Sequence, residues 1–148
     1  MSESMYKRIA IAYNESPEAS RALASAIHLA KALGAELRAI TVMQELPPYT
    51  AYATAADCSL AGTLTEDRRA FYEQMQANAR QIALGEGVEL VTELAEGGEV
   101  DALVQFLHQY KADLLVIGLH RRESHISRLW STVYEVAQDA PCSVLGVH

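Results

Sequence analysis

Residues able to do chemistry crowd into one stretch of this chain, Gly118 to Thr132. His120, Arg121, Arg122, His125 and Arg128 place cationic or protonatable groups close together there. Arginine carries a planar fork of donors that fits phosphate and carboxylate, so the first chemistry open to this stretch is anion recognition. The Arg121–Arg122 pair reads equally well as a solvated loop. His120 and His125 match no common zinc spacing, and no cysteine or carboxylate cluster joins them. They read as loop histidines, not metal ligands. Ser124, His125 and Ser127 are residue types found in hydrolases, but no Gly-x-Ser-x-Gly elbow exposes a nucleophile. No catalytic residue is assigned.

Two elements must hold that stretch in place. Leu114 to Ile117 is an unbroken apolar run ending at Gly118, the pattern of a strand buried on both faces. Beyond the loop, Ile126, Leu129, Trp130, Val133 and Val136 recur at helical spacing. Trp130 lies on that stripe and reads as core or interface. Strand, glycine turn and helix start together turn backbone N–H groups and a helix dipole toward an anion. In open α/β sheets, ligands gather at the carboxyl ends of strands.

The rest of the chain repeats the two patterns. Lys7–Tyr13, Leu37–Met43, Val88–Leu94 and Cys142–Val147 read as strands. Ser16 suits an N-cap and Pro17 the first helical position. Ala19, Leu23, Ala26, Ile27, Ala30 and Leu33 form the stripe of that helix, and Gly34 closes it. Residues 44–62, with Pro47, Pro48, Tyr49 and Tyr52, have no period and read as a loop. Thr63 to Glu66 is a capping-box pattern that opens the next helix. Phe71, Met75, Ala79 and Ile82 are its expected inner face, and Gly85 and Gly87 its end. Glu96-Gly97-Gly98 reads as a turn before a short helix with Val100, Leu103, Val104 and Leu107 inward. Ala140-Pro141 ends the last helix. Strands alternating with helices in this way predict a parallel sheet covered on both faces, with right-handed crossovers.

Bulk properties limit the function classes. At 148 residues the chain makes one domain, 1–148, with room for a proper core. A net charge of −7 argues against nonspecific nucleic-acid binding. No apolar run approaches the roughly 20 residues that span a bilayer. The opening Met1–Ser4 lacks the start of a secretory signal. Cys58 and Cys142 make neither a disulfide framework nor a CxxC site, and Cys142 reads as an inert buried thiol. A cytoplasmic protein without membrane or nucleic-acid partners is expected.

Four segments carry a resemblance. Ile9-Ala-Ile-Ala-Tyr-Asn-Glu-Ser16 looks like the opening strand and Asp-Gly-Ser turn of the universal stress protein family. Gly34-Ala-Glu-Leu37 resembles the start of its second strand. Asp113-Leu-Leu-Val-Ile-Gly118 and Ala140-Pro-Cys-Ser-Val-Leu145 resemble its fourth and fifth strands. In order and spacing the match covers nearly the whole chain. It implies a five-stranded parallel sheet of order 3-2-1-4-5, Rossmann-like, of the adenine nucleotide alpha hydrolase-like type. It also implies a homodimer paired through the last strand, Ser143, Val144, Leu145, Gly146 and Val147. An edge strand of that composition is itself a template for pairing.

The family's ATP-binding branch carries Gly-x-x-Gly-x9-Gly-Ser/Thr after the fourth strand. Here Gly118 matches the first glycine and Arg121 the second. The segment is one residue short. Counted forward, the third glycine falls on Ser131 and the hydroxyl on Thr132; counted back, on Trp130 and Ser131. The family's first-strand aspartate is matched by Asn14. The resemblance thus implies a nucleotide or anion site of Ala12, Asn14, Val42, Gly118, His120, Arg121, Ser131 and Thr132, with ATP or another anion as ligand. With two glycines gone, the loop is expected not to hold ATP in the family's usual way. The expected function is a non-enzymatic stress-response module, acting through dimerisation and an unidentified protein partner. An ATP- or AMP-binding switch and a weak nucleotide hydrolase are the alternatives.

Overall fold

Ile9, Ala10 and Ile11 are fully buried. A segment with nothing polar to turn toward water belongs in the middle of a sheet covered on both faces. The computed structural model describes residues 5–43, 58–119 and 126–148, without the side chains of residues 58–65 and 126–132. Strands β1 (Arg8–Ala12), β2 (Glu36–Met43), β3 (Leu90–Glu96), β4 (Leu114–Gly118) and β5 (Ser143–Val147) alternate with four helices. These are α1 (Pro17–Leu33), α2 (Cys58–Gly85), α3 (Glu99–Tyr110) and α4 (Ile126–Asp139). The sheet is parallel, in the order β3-β2-β1-β4-β5, as the resemblance implied. On one face α1 and α2 cover Ile9, Ile11, Leu37, Leu114 and Val116. On the other, α3 and α4 cover Ala10, Ile40 and Leu115.

Helix ends follow local chemistry. The Ser16 hydroxyl accepts from the Ala19 N–H at 3.1 Å, and Pro17 opens α1. Gly34 closes it at φ 64°. After α2, the Gly87 N–H donates to the Leu84 carbonyl and the Val88 N–H to that of Ala83. This is the paired closure of a left-handed C-cap, and it draws Val88 into the turn. The third strand therefore starts at Leu90 instead of Val88.

Two expectations about α2 are corrected. The helix starts at Cys58, so Thr63–Glu66 lies inside it and does not cap it. Residues 58–62 hold no proline to stop a helix from extending upstream. Residues 44–57, with Tyr49 and Tyr52, lie outside the described residues. The inner face is also turned. Gln76, Ala79 and Ala83 are buried, Met75 is partly packed, and Phe71 and Ile82 are each 54% exposed. Phe71 and Ile82 sit about 100° around the helix from the buried line. Alanines at 79 and 83 let the helix lie close to the sheet, where the larger pair would hold it off. Polar contacts to β3 fix the rotation: Gln76 Nε2 donates to the Glu93 carbonyl at 2.7 Å, and Arg69 pairs with Glu96 at 3.3 Å. In α3, Phe106 and Tyr110 join Leu103 and Leu107 inside, while Val100 and Val104 are only half-buried. Leu33, at the end of the α1 stripe, is 37% exposed.

Each end of the central strands has its own fastening. At the start, Asp113 Oδ2 accepts from the N–H groups of Lys7 and Arg8 at 2.8 and 2.9 Å. Nearby, the Arg38 guanidinium lies 4.5 Å from the centre of the Tyr110 ring and pairs with Glu93 at 3.2 Å. Burial, helped by the Glu36 carboxylate, pushes the Tyr110 hydroxyl up to about 12. At the far end, a Cβ on Gly118 would fall 2.5 Å from the Glu18 carbonyl oxygen. Because the obstacle is helix backbone, it cannot swing aside. Replacing Gly118 with Ala should cost about 1–3 kcal/mol, read as a lower urea midpoint; an unchanged midpoint would show that α1 can shift.

Candidate functional site

The order 3-2-1-4-5 reverses direction between β1 and β4, which is where ligands of open α/β sheets lodge. The turn after β1 is built by a relay. The Ala19 N–H donates to Ser16 Oγ, and the Ser16 hydroxyl donates to Asn14 Oδ1 at 2.6 Å. The Ser16 N–H donates to the same Asn14 oxygen at 2.9 Å. Asn14 is therefore a second layer of the α1 cap. Its acceptor is occupied before any ligand arrives. Beside it, Tyr13 turns into the core, where burial raises its hydroxyl against the opposing pull of a hydrogen bond with Ser20.

Ala12, Asn14 and Val42, three of the residues expected to share a site, line one cavity. That cavity has a volume of about 50 Å³. Leu103 of α3, expected to face inward, is another of its walls, and two more were not singled out in the sequence: Tyr72 of α2 and Glu99 of α3. The available signal for Glu99 was its place, directly after β3 and the Gly97–Gly98 turn, at the carboxyl end of the sheet. For Tyr72 the signal was hidden, because Phe71 next to it looked like the inward residue.

Gly118 stands apart from this cavity, at the end of β4 beneath the first turn of α1. Ser131 and Thr132 fall in the second turn of α4. Only the first turn of a helix has unpaired N–H groups to offer an anion. His120, Arg121, Arg122, Ser124 and His125 lie outside the described residues, as do the side chains of Ser127, Arg128, Trp130, Ser131 and Thr132.

β5 forms one edge of the sheet and pairs with β4 alone among the described strands. Val144 and Val147 pack inward, while Ser143, Leu145 and Gly146 are exposed. Burial, reinforced by the Asp113 carboxylate, pushes the Cys142 thiol up and away from the thiolate form. Among the described residues no group of three His, Cys, Asp or Glu could hold a metal ion, and no helix is long and apolar enough to cross a membrane.

The relay makes a prediction. Asn14→Ala should lower stability by about 1 kcal/mol, the usual effect of losing a cap, and Asn14→Asp, which keeps the acceptor, should not. Denaturant unfolding of both variants checks it; equal losses would show that the turn needs the amide itself.

Comparison with known proteins gives a consistent set. Residues 5–148 match the sequence model of the universal stress protein family. A universal stress protein of Methanocaldococcus jannaschii is 30% identical over 146 residues, covering 98% of this chain and 84% of that protein. The universal stress protein UspA of Lactobacillus plantarum superimposes with a TM-score of 0.80 at 22% identity, over 98% of this chain and 99% of the other. A universal stress protein of Archaeoglobus fulgidus, solved in complex with dAMP, gives 0.69 at 20% identity, over 98% and 100%.

Proposed function

The chain belongs to the universal stress protein family, and from that premise we propose that it is a non-enzymatic, cytoplasmic stress-response module. It works as a homodimer through contact with a protein partner, not by holding ATP. One observation carries this reading: the Asn14 carbonyl oxygen is engaged by Ser16. The family's aspartate at the matching position contacts the nucleoside; here the position serves the turn. At the phosphate end, Arg121 stands where the family's motif has its second glycine. An arginine there either fills the space of a phosphate or replaces a lost amide with a charge-assisted contact. The net charge of −7 speaks against nucleic acid as the partner.

The runner-up is an adenine-nucleotide switch, favoured by the relative that was solved with dAMP. Calorimetric titration of ATP with Mg²⁺ in physiological salt separates the two. Wild type should show no micromolar binding; if it does, the switch replaces the module. Arg121→Gly should then report how the loop fails. A gain of ATP binding marks Arg121 as an obstruction, and loss of a weak phosphate interaction marks it as a substitute ligand.

β5 is the proposed seam of the dimer. It is an edge strand with Leu145 38% exposed, and a twofold partner would satisfy its free backbone with self-complementary contacts. Leu145→Lys should shift the protein toward monomer in analytical sedimentation. A dimer that persists unchanged would place the seam elsewhere.

A further inference from the structure

We infer that Tyr72 and Glu99 determine what the crevice at the ends of β1 and β2 admits, and that together they exclude a purine nucleoside. It rests on the reading of a protein that does not hold ATP, and it deepens that reading. The exclusion acts at base and ribose, independently of the phosphate loop.

The backbone that carries Tyr72 is held in place. Its helix is fastened to the edge strand β3 by Arg69 on Glu96, Gln76 on the Glu93 carbonyl and Arg80 on Thr92. These contacts span three turns around Tyr72 and hold the rotation of α2 that aims it over the sheet end. Its ring is also braced. Phe71 meets it edge to face with centroids 5.4 Å apart, a favourable aromatic geometry. That contact gives the exposed Phe71 a role that core packing does not.

Glu99 comes from the opposite layer. It is the first residue of α3, after the N-cap Gly98, where an acidic side chain is favoured by the helix dipole. The two side chains line, with Ala12, Asn14 and Val42, a cavity of about 50 Å³. A water occupies about 30 Å³ of the liquid, and pockets that take drug-sized ligands run to roughly 300–1,000 Å³. The remaining space suits a water or two.

Adenosine is the probe, because it carries no phosphate and bypasses the loop. Calorimetry should show no binding by the wild type up to millimolar adenosine. Tyr72→Ala/Glu99→Ala should bind it at least about ten-fold more tightly. Submillimolar binding by wild type overturns the inference. So does a double variant, folded by circular dichroism, that admits adenosine no better than wild type. If that variant does not fold, Tyr72→Leu, which keeps an apolar contact with the sheet, decides on the same criterion. Inorganic tripolyphosphate runs in parallel. Wild type that binds ATP and tripolyphosphate but not adenosine would sink the module reading and leave the exclusion standing. Adenosine binding would sink the exclusion whatever tripolyphosphate does.

Discussion

Between Gly118 and Glu18 there is room for a hydrogen and nothing more. That close approach brings the end of β4 against the backbone of the first turn of α1. It sets where α1 begins, and so where the Asn14–Ser16 turn must cross from β1 into the helix. Beyond it, the Leu119 N–H donates to the Val147 carbonyl at 2.7 Å, carrying the β4–β5 pairing one residue past the strand. The Leu119 side chain then lies over Gly146, 2.6 Å from where a Cβ would sit. One small residue at the end of a central strand thus orders the whole switch-point end of the sheet.

The opposite end is held differently. There the fastenings are polar and half-exposed: Asp113 on two backbone N–H groups, and Arg38 between Tyr110 and Glu93. Contacts of this kind fix register more than they add stability, since exposed ion pairs contribute little. The Tyr110 hydroxyl, raised to about 12, stays neutral wherever the protein functions. The apolar layers between the ends supply the driving force.

Residues at the switch-point end have structural roles of their own. Gly118 is required by the packing of α1, so its presence says little about phosphate. Asn14 is required by the turn, so its presence says little about ribose. Both positions have structural work of their own, while side chains from α2 and α3 line the crevice beside Asn14.

Much was legible in the sequence alone. Unbroken apolar runs at Ile9–Ile11 and Leu114–Ile117 specify strands buried on both faces, because no other environment accepts them. Ser16, Pro17 and Gly34 mark the ends of α1 through backbone chemistry that needs no tertiary context. The order of the strands came through resemblance, since β-α alternation allows several. What only the tertiary structure decided was rotation and contact between elements distant in the chain. Phe71 and Ile82 satisfy helical spacing as well as Gln76, Ala79 and Ala83 do; packing distance and the polar contacts to β3 chose between them. Thr63–Glu66 has the local pattern of a cap, yet residues upstream continue the helix. Tyr72 and Glu99 are separated by half a helix, a strand and two turns, and no local signal joins them. They come to line one cavity only because α2 and α3 lie on opposite faces of the sheet, and the contacts of Arg69 and Gln76 with β3 set the middle of α2 level with the carboxyl edge where α3 begins.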